Sequence, residues 1–516
     1  MDSAEDFLPF QVGGSSSCGN SFLDIMCQRF RIKTNKEWDA RQVKLYIYSL
    51  FYYGQIYDAL SPWNTEYASN KYIPLNKRRP CVIYPIPRII VNDSVGMLFG
   101  NSHFPVMRCD DEDTENFIQS INRVSNIKNA MMCAAKIGSL GSVCVIAKVL
   151  NSKFHFDVLN TLNVFPIFDK LNPHCLESLT EKVKVTGATL INSGEDLEPT
   201  DLNKSKIFWM VRKLTKTQEI FYKMAEDKKD WEIGLIEDKE KSSTHNFGFV
   251  PAVWIKNLPT IDSEIDGECT FGSVLDMCVE TDYQLSQLAR LLRYNSDPTL
   301  VIKDPSAIDG QILIKGQGAL KLGENGDAFL LEMNGQSTKS VIDYVKTLRE
   351  FAIEATRGNR ASPNKMNALH SGKALQMLNS PLISLADELR LSYGNNGLLE
   401  IYKLVFAICE SNQVEISDIY GVYGDLQKAV HSMILDWPEW YPSTMSDNLQ
   451  ESQAIATNMQ SGIISRETAI SSIAEKYNIT DIQKELTDIL HDVNYNLSAQ
   501  SDSGTVASAD VDHQED

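Results

Sequence analysis

Two long helical stretches that flank a β-rich insert constrain the fold of this chain most. Residues 273–295 and 337–356 both place apolar side chains at spacings of three and four, the pattern of a helix with one buried face. At 1.5 Å per residue the first helix would be roughly 35 Å long. The predicted stripes are Val274, Cys278, Leu285, Leu288 and Leu292, followed by Val341, Val345, Leu348, Ala352 and Ala355. Two helices striped in this way can pack against each other and against further copies around an axis.

The insert between these helices has a strand-like residue pattern instead of a helical one. Asp297 and Pro298 end the first helix, and four short strand-like pieces follow, separated by Gly and Asp turns: "TLVIKD", "QILIKG", "ALKLG" and "AFLLEM". Ser273 is predicted to be the N-cap of the first helix. The sequence therefore predicts a compact β-rich insertion, residues 297–335, between the two helices.

The rest of the chain alternates helical and strand patterns, which predicts an α+β protein. Helical spacing occurs over 39–59, 115–138 and, from about Val91, in an apolar run that starts extended at 81. Strand patterns occupy 142–150 and 154–160, and an antiparallel meander covers 206–238. A third long helix runs from Ser371 to Cys409 with breaks near Pro381 and "YGNNG".

The two ends of the chain and its C-terminal part look different from this body. Residues 1–36 read as a flexible arm and 496–516 as a disordered acidic tail, because both lack apolar periodicity. Between them the C-terminal third predicts three short helices. Ser465 would cap one of these helices, and Thr480 with Gln483 would form a capping box for the next.

Charge limits the kind of nucleic-acid contact that is possible. The chain has 49 Lys and Arg against 68 Asp and Glu, a formal net charge of −19, which argues against tight wrapping of nucleic acid. One segment is the reverse: "RGNRASPNKMNALHSGKAL", residues 357–375, is basic and contains no acid. This segment is either an ordinary solvated connection or a loop that faces phosphates.

No catalytic constellation can be read from the spacing of residues. "SGKAL" lacks the first Gly and the Ser or Thr of a phosphate-binding loop. The acids of "CDDEDTE", residues 109–115, are consecutive and precede a helix, so a solvated helix N-terminus is favoured over a metal site. The ten cysteines form no CxxC pair and predict buried free thiols in a reducing cytosol. We expect neither enzymatic activity nor a cofactor.

The sequence offers no means of crossing a membrane. No stretch of about 18 apolar residues occurs. The first residues, "MDSAEDFLPFQ", lack the basic and apolar regions of a secretion signal.

Several phrases, in this order, resemble the portal proteins of tailed bacteriophages, the head-to-tail connector family. They are "YYGQIYDAL" with "PRIIVNDSVGMLFGN", "HNFGFVPAVWIKN", "SGKALQMLNSPLISLADELRLSYGNNGLLEIYKL" and "QSGIISRETAISSI". Together they span roughly residues 40–490. The long N-terminal arm and the acidic tail depart from the family pattern.

The resemblance implies a portal-type fold and an arrangement of segments. These are an arm (1–36), an α/β wing (37–265), stem helices (266–296 and 336–356), a β-rich clip (297–335), a tunnel loop (357–371), a wing helix (372–412), an α-helical crown (413–495) and the tail (496–516). It also implies a ring of about twelve subunits at one capsid vertex of the virion, assembled in the host cytoplasm.

The partners and site residues also follow from the resemblance. Double-stranded DNA would pass through the ring, the terminase large subunit and then a head–tail adaptor would dock on the clip, and major capsid or scaffold protein would surround the ring. Arg357, Arg360 and Lys365 would face DNA in the tunnel loop, with Lys339 and Lys346 as further candidates along the stem. The alternatives are a structural virion protein without a channel, or a metal-dependent nucleic-acid enzyme that uses the acids at 109–115.

Overall fold

The computed structural model describes residues 40–59, 78–100, 102–173, 175–195, 197–227, 234–261, 265–296, 299–302, 328–331, 336–359, 376–412, 420, 430–441, 445–474, 479 and 481–490. Helices and strands alternate along these residues, so the protein is α+β as the sequence predicts. The chain divides into two compact units. The first comprises residues up to 360 together with 379–440, and the second comprises 361–378 with 441–516.

The first unit contains eleven of the helices that the structure describes. They are α1 Ala40–Tyr53, α2 Ile56–Ala59, α3 Ile86–Phe99, α4 Glu112–Val124, α5 Ile127–Gly138, α6 Gly187–Asn192, α7 Asp201–Ser205, α8 Leu275–Ser296, α9 Gln336–Ala355, α10 Ser380–Leu389 and α11 Glu400–Asn412. A π-helical segment, Arg390–Leu399, joins α10 to α11 without interruption.

The strands of this unit form antiparallel sheets. They are β1 Val106–Arg108, β2 Ser142–Leu150, β3 Lys153–Asn160, β4 Val164–Phe168, β5 Leu176–Thr186, β6 Ile207–Thr215, β7 Gln218–Phe221, β8 Ala225–Glu226, β9 Ser243–Thr244, β10 Ala252–Lys256, β11 Thr299–Ile302, β12 Ala328–Leu331 and β13 Ile434–Asp436. The sheet orders are β10–β2–β3, β4–β5–β6–β7–β9 with β8 on β6, β1–β13 and β11–β12.

The core of the first unit centres on β2. Its first six residues, "SVCVIA", are all buried, because α5 packs on this sheet and a second sheet lies close to it. A continuous apolar run of this kind is typical of a strand covered on both faces. Where the two sheets meet, one cluster of buried side chains joins them: Cys144, Ile146, Val164, Leu176, Leu179, Leu214, Val250 and Ala252.

Helix boundaries differ from the sequence prediction at Ile86 and at Asn126, among other places. Helix α3 begins at Ile86 rather than about Val91, and Pro87 lies in its first turn. Backbone N–H groups in a first turn have no helical partner, so the N–H that proline lacks is not needed there. The predicted helix over 115–138 is two helices, since Asn126 adopts a left-handed conformation with φ 51° between them. Asn tolerates this conformation better than most residues do.

The sequence analysis predicts a helix break at "YGNNG", and this prediction is wrong. The segment continues the helix as π-helical turns. Its glycines allow close packing. A Cβ on Gly394 would lie 2.6 Å from the Trp437 ring, and a Cβ on Gly397 would lie 2.8 Å from Ile255 Cδ1. These glycines are therefore explained by the approach of β10 and of the 434–441 segment, and not by a chain reversal.

Helix α8 has a buried face that is partly polar. Val274 and Cys278 are buried as predicted, Leu285 and Leu288 are half-buried, and Leu292 is exposed, contrary to the prediction. Beyond Cys278 the fully buried positions are instead Thr281, Asp282 and Ser286. The predicted cap Ser273 lies inside a short 3-10 turn, Gly272–Val274, that precedes the helix.

Helix α9 is largely exposed in the single chain. Val341, Val345 and Leu348 are half-buried and Ala352 is buried, so most of the predicted stripe is correct. Ala355 is exposed, however, and the buried residue of this last turn is Thr356. The Thr356 hydroxyl donates a hydrogen bond to the Ala352 carbonyl, 2.8 Å away, which allows a polar side chain to be buried there.

Among the cysteines that the structure describes, all are free thiols and half are buried. Cys144, Cys269, Cys278 and Cys409 are buried, whereas Cys81, Cys133 and Cys175 are exposed, so the prediction of buried thiols is wrong for this second group. Burial raises the pKa of Cys269 to about 12, which keeps its thiol protonated.

In the part of the chain that the structure describes, no helix combines the length and the apolar composition that a membrane span needs.

The second unit contains α12 Met445–Gln460, α13 Arg466–Ile473 and α14, residues 482–490. Ser465 caps α13, as predicted, by accepting the Thr468 N–H at 3.1 Å. Helix α14 is capped by Asp481, whose Oδ1 accepts the N–H groups of Gln483 and Lys484. The predicted cap Thr480, the arm at 1–36, the tail at 496–516 and the strand pieces "QILIKG" and "ALKLG" lie outside the described residues.

Candidate nucleic-acid interface

Helices α8 and α9 pack against each other and are joined through the ends of the insert. Strand β11 pairs antiparallel with β12, with Thr299 opposite Leu331 and Ile302 opposite Ala328. This pairing brings the residues that follow α8 next to those that precede α9. The arrangement of helix, β-structure and helix is therefore confirmed for the first and last of the four predicted strand pieces.

Helix α8 is attached to the body of its unit by buried polar side chains. Asp282 Oδ1 accepts the Tyr84 N–H at 2.7 Å, and Asp282 Oδ2 accepts the Tyr57 hydroxyl at 3.0 Å. One turn further along, Ser286 Oγ accepts the N–H groups of Cys81 and Val82. Because residues 81–84 lie outside any strand, these side chains supply the acceptors that their backbone needs. Burial raises the pKa of Asp282 to about 7.

The two lysines predicted to face DNA lie on one exposed face of α9. Lys339 and Lys346 are two turns apart, and Asp343 and Glu350 lie on the same face. Successive members of this set are four, three and four residues apart, which places them side by side along the helix. Lys346 Nζ lies 3.3 Å from Asp343 Oδ1, and both side chains are exposed. This face, defined by Lys339, Asp343, Lys346 and Glu350, therefore has no net formal charge; we call it the mixed-charge face.

Arg357 lies at the C-terminal end of α9, in a backbone conformation that usually requires glycine. Its φ is 55°, in the left-handed region. The Arg357 N–H donates to the Glu354 carbonyl at 3.2 Å, and the Gly358 N–H donates to the Ile353 carbonyl at 2.8 Å. This pair of bonds is the Schellman pattern that ends many helices, with Arg where Gly is commonest.

The side chain of Arg357 binds a carboxylate of the same chain. Nη1 donates to Glu388 Oε1 at 2.6 Å, and Nη2 donates to Glu388 Oε2 at 2.8 Å, so both oxygens are engaged. These hydrogen bonds raise the pKa of Arg357 and lower that of Glu388, which keeps both groups charged. The two side chains are 36% and 38% exposed, so water and salt screen the ion pair in part.

The structure brings only some of the predicted site residues together. Lys339 and Lys346 share the mixed-charge face, whereas Arg357 is bound to Glu388 at the helix end; Arg360 and Lys365 lie outside the described residues. The sequence analysis missed Glu388, because nothing near position 388 indicates a partner 31 residues away. The "RG" after α9 does indicate a helix end, but it suggests Gly358 for the left-handed position.

The acids at 109–115 cap a helix. Asp111 accepts the Thr114 N–H at 3.0 Å, and Glu115 Oε1 accepts the Cys109 N–H at 2.9 Å, so both carboxylates serve α4. Within the described ranges no group of three or more His, Cys, Asp or Glu could hold a metal ion. The interpretation of this segment as a helix N-terminus is confirmed.

A comparison with known protein families covers most of the chain. A family model described as "Phage portal protein, SPP1 Gp6-like" matches residues 39–492. The protein is thus of the portal class, a structural class of virion proteins found at the capsid vertex of bacteriophages. More narrowly, the chain belongs to the SPP1 Gp6-like family of phage portal proteins. A search of curated proteins gives no match.

Proposed function

We propose that about twelve copies of this chain form a ring that conducts double-stranded DNA into and out of the capsid. The family match over residues 39–492 carries this proposal. In this ring α8 and α9 form the stem, residues 297–335 the clip, 357–371 the tunnel loop and 372–412 the wing helix. Residues 37–265 form the wing and 413–495 the crown, although 413–440 group with the first compact unit rather than with the second.

Exposed apolar side chains on the helix pair support the assembly of several copies. Tyr344 and Phe351 lie two turns apart on one flank of α9, and they are 45% and 52% exposed. Ser340 and Thr347 complete this flank, which therefore carries no charge. A second copy would bury such a flank, as subunits in a ring bury apolar side chains that are exposed in the isolated chain.

Arg360 and Lys365 are the basic residues that we assign to DNA phosphates in transit. Arg357 is the weaker candidate, because its guanidinium is already bound to Glu388. Lys339 and Lys346 would guide DNA along the stem, where the acids of the mixed-charge face offset their attraction. Duplex DNA carries about one charge per 1.7 Å, so a fully basic channel would hold it fast.

The partners that we propose follow from the ring. The terminase large subunit docks on the clip during packaging, and a head–tail adaptor replaces it afterwards. Major capsid or scaffold protein surrounds the ring, which assembles in the host cytoplasm. The energy for DNA movement comes from the terminase motor, and the chain itself needs no cofactor.

Native mass and negative-stain images of the purified full-length chain test the assembly. We expect a ring of about twelve copies with a central hole. A compact particle without a hole would contradict the channel and favour a structural virion protein of another kind. Subunits that remain monomeric even with capsid and scaffold protein present would contradict the ring itself.

Replacing Arg360 and Lys365 together by Gln tests the DNA-facing assignment. We expect normal rings but altered DNA packaging or retention, because two phosphate-facing charges per subunit are lost. Lys153→Gln is the matched control, since Lys153 is an exposed lysine at the start of β3. Packaging equal to that of the control would contradict the assignment.

A further inference from the structure

Arg357 combines two features that need a common explanation. It holds a left-handed backbone conformation that costs side chains other than Gly, and its guanidinium is matched to a single carboxylate, Glu388. Gly358 follows immediately and would satisfy the backbone with less strain had it been placed one position earlier. The side chain at 357 must therefore contribute something that a glycine would not.

The location of this pair indicates what that contribution is. From residue 338 to 351 no side chain of α9 is fully buried, whereas Ala352, Thr356 and Gly358 are buried. Apart from its packing against α8, the helix is thus attached to the rest of its unit mainly through its last turn. Arg357 extends from this turn to Glu388 on α10, and α10 continues through the π-helical segment into the core of the unit.

We propose that Arg357 is a positioning residue whose bidentate pair with Glu388 locks the end of α9 to α10, rather than a residue that contacts DNA. Two parallel N–H···O bonds fix the direction as well as the distance between the groups, which a single lysine contact would not do. The lock sets where the chain leaves α9 and so determines the starting point of the segment that carries Arg360 and Lys365. This last consequence rests on the proposed function, whereas the lock itself does not.

Hydrogen exchange in the purified full-length chain tests the lock without any DNA. Arg357→Gln and Glu388→Gln should each raise amide exchange in the peptide covering 352–359 by about fivefold, the scale of one partly exposed ion pair. The exchanged pair, Arg357→Glu with Glu388→Arg, should restore much of the protection. Lys403→Gln, which removes the exposed Lys403–Glu400 pair of α11, is the control and should leave this peptide unchanged. Wild-type exchange in Glu388→Gln would overturn the proposal.

Arg357→Gly separates the backbone from the ion pair. Glycine accepts the left-handed conformation, so the helix end and the overall stability should be retained or improved. The contact to α10 is nevertheless lost, so exchange in the peptide covering 384–389 should rise in this variant, and we expect the same rise in Arg357→Gln. If the glycine variant kept wild-type exchange in that peptide, Arg357 would be a helix cap and nothing more.

DNA packaging distinguishes the lock from a phosphate contact. If Arg357 positions the chain, Arg357→Gln and Glu388→Gln should impair packaging to the same extent, and the exchanged pair should restore it. If Arg357 contacts phosphates, Glu388→Gln should be harmless and the exchanged pair as defective as Arg357→Glu alone. If the wild-type chain does not support packaging, the proposed function is wrong. The hydrogen-exchange measurements test the Arg357–Glu388 lock independently of that result.

Discussion

Helices α8 and α9 form one pair, yet they are held to the protein in different ways. Helix α8 is fixed along its first half by buried polar side chains, above all Asp282 and Ser286, which bind backbone and hydroxyl groups at residues 57 and 81–84. Helix α9 exposes most of its length and, apart from its packing against α8, is held at its last turn by Thr356, Gly358 and the Arg357–Glu388 pair. From this comparison we infer that α8 contributes most to folding, and we propose that α9 serves assembly and positioning.

The largest expected effect is on folding, at Asp282. Asp282→Ala removes the carboxylate that accepts hydrogen bonds from the Tyr57 hydroxyl and the Tyr84 N–H. We expect a loss of about 3 kcal/mol in the free energy of unfolding, measured by urea denaturation. Asp343→Ala on the exposed face of α9 is the control and should change it by less than about 0.5 kcal/mol. Equal effects at the two sites would break the contrast between the helices.

The pH dependence of stability should also reflect Asp282. In the folded protein the Asp282 carboxyl keeps its proton up to about pH 7, whereas in the unfolded chain the same carboxyl releases it at about pH 4. The folded state thus binds more protons in this interval, and the contribution of Asp282 to stability falls as the pH rises through it. Asp282→Asn should remove this loss of stability between pH 4 and 8.

Comparing the wild-type protein with Asp282→Asn at each pH isolates this group from others that titrate in the opposite sense. Glu388 is one of these, because its lowered pKa makes its pair with Arg357 weaken as the pH falls. Parallel stability curves for the two proteins would show that Asp282 does not titrate between pH 4 and 8.

The smallest effect on the single subunit is expected at Phe351. Phe351→Ser should change the free energy of unfolding of the subunit by less than about 0.5 kcal/mol, because the ring of Phe351 is half exposed. It should nevertheless weaken assembly, which native mass measured over a dilution series will detect. Normal assembly of this variant would move the interface away from the uncharged flank of α9.

The elements that the sequence predicts well are those with a strong local pattern. Strand β2 and helices α8 and α9 were predictable, because a run of apolar residues or a spacing of three and four needs no knowledge of distant partners. Strand β5, "LESLTEKVKVT", was missed, because its half-exposed positions alternate with Lys and Glu and resemble a solvated segment. Local patterns therefore find buried elements more readily than half-buried ones.

The site was less predictable than the fold, for a physical reason. Asp282 and Ser286 break the expected apolar stripe because they satisfy a backbone segment about 200 residues earlier in the chain. Glu388 becomes relevant only once α10 lies beside the end of α9. Such polar contacts depend on long-range proximity, which hydrophobic periodicity does not encode.

The mixed-charge face has a consequence for motion. From Lys339 to Glu350 it extends about 16 Å along α9, and the sign of the charge changes at each step. At physiological ionic strength the screening length is about 8 Å, so a passing phosphate would sense one attractive and one repulsive group at a time. In the proposed ring this gives a shallow, corrugated energy profile instead of a deep well. Such a channel wall would offer little resistance to the sliding of DNA. This resistance would be the same for DNA entering and for DNA leaving.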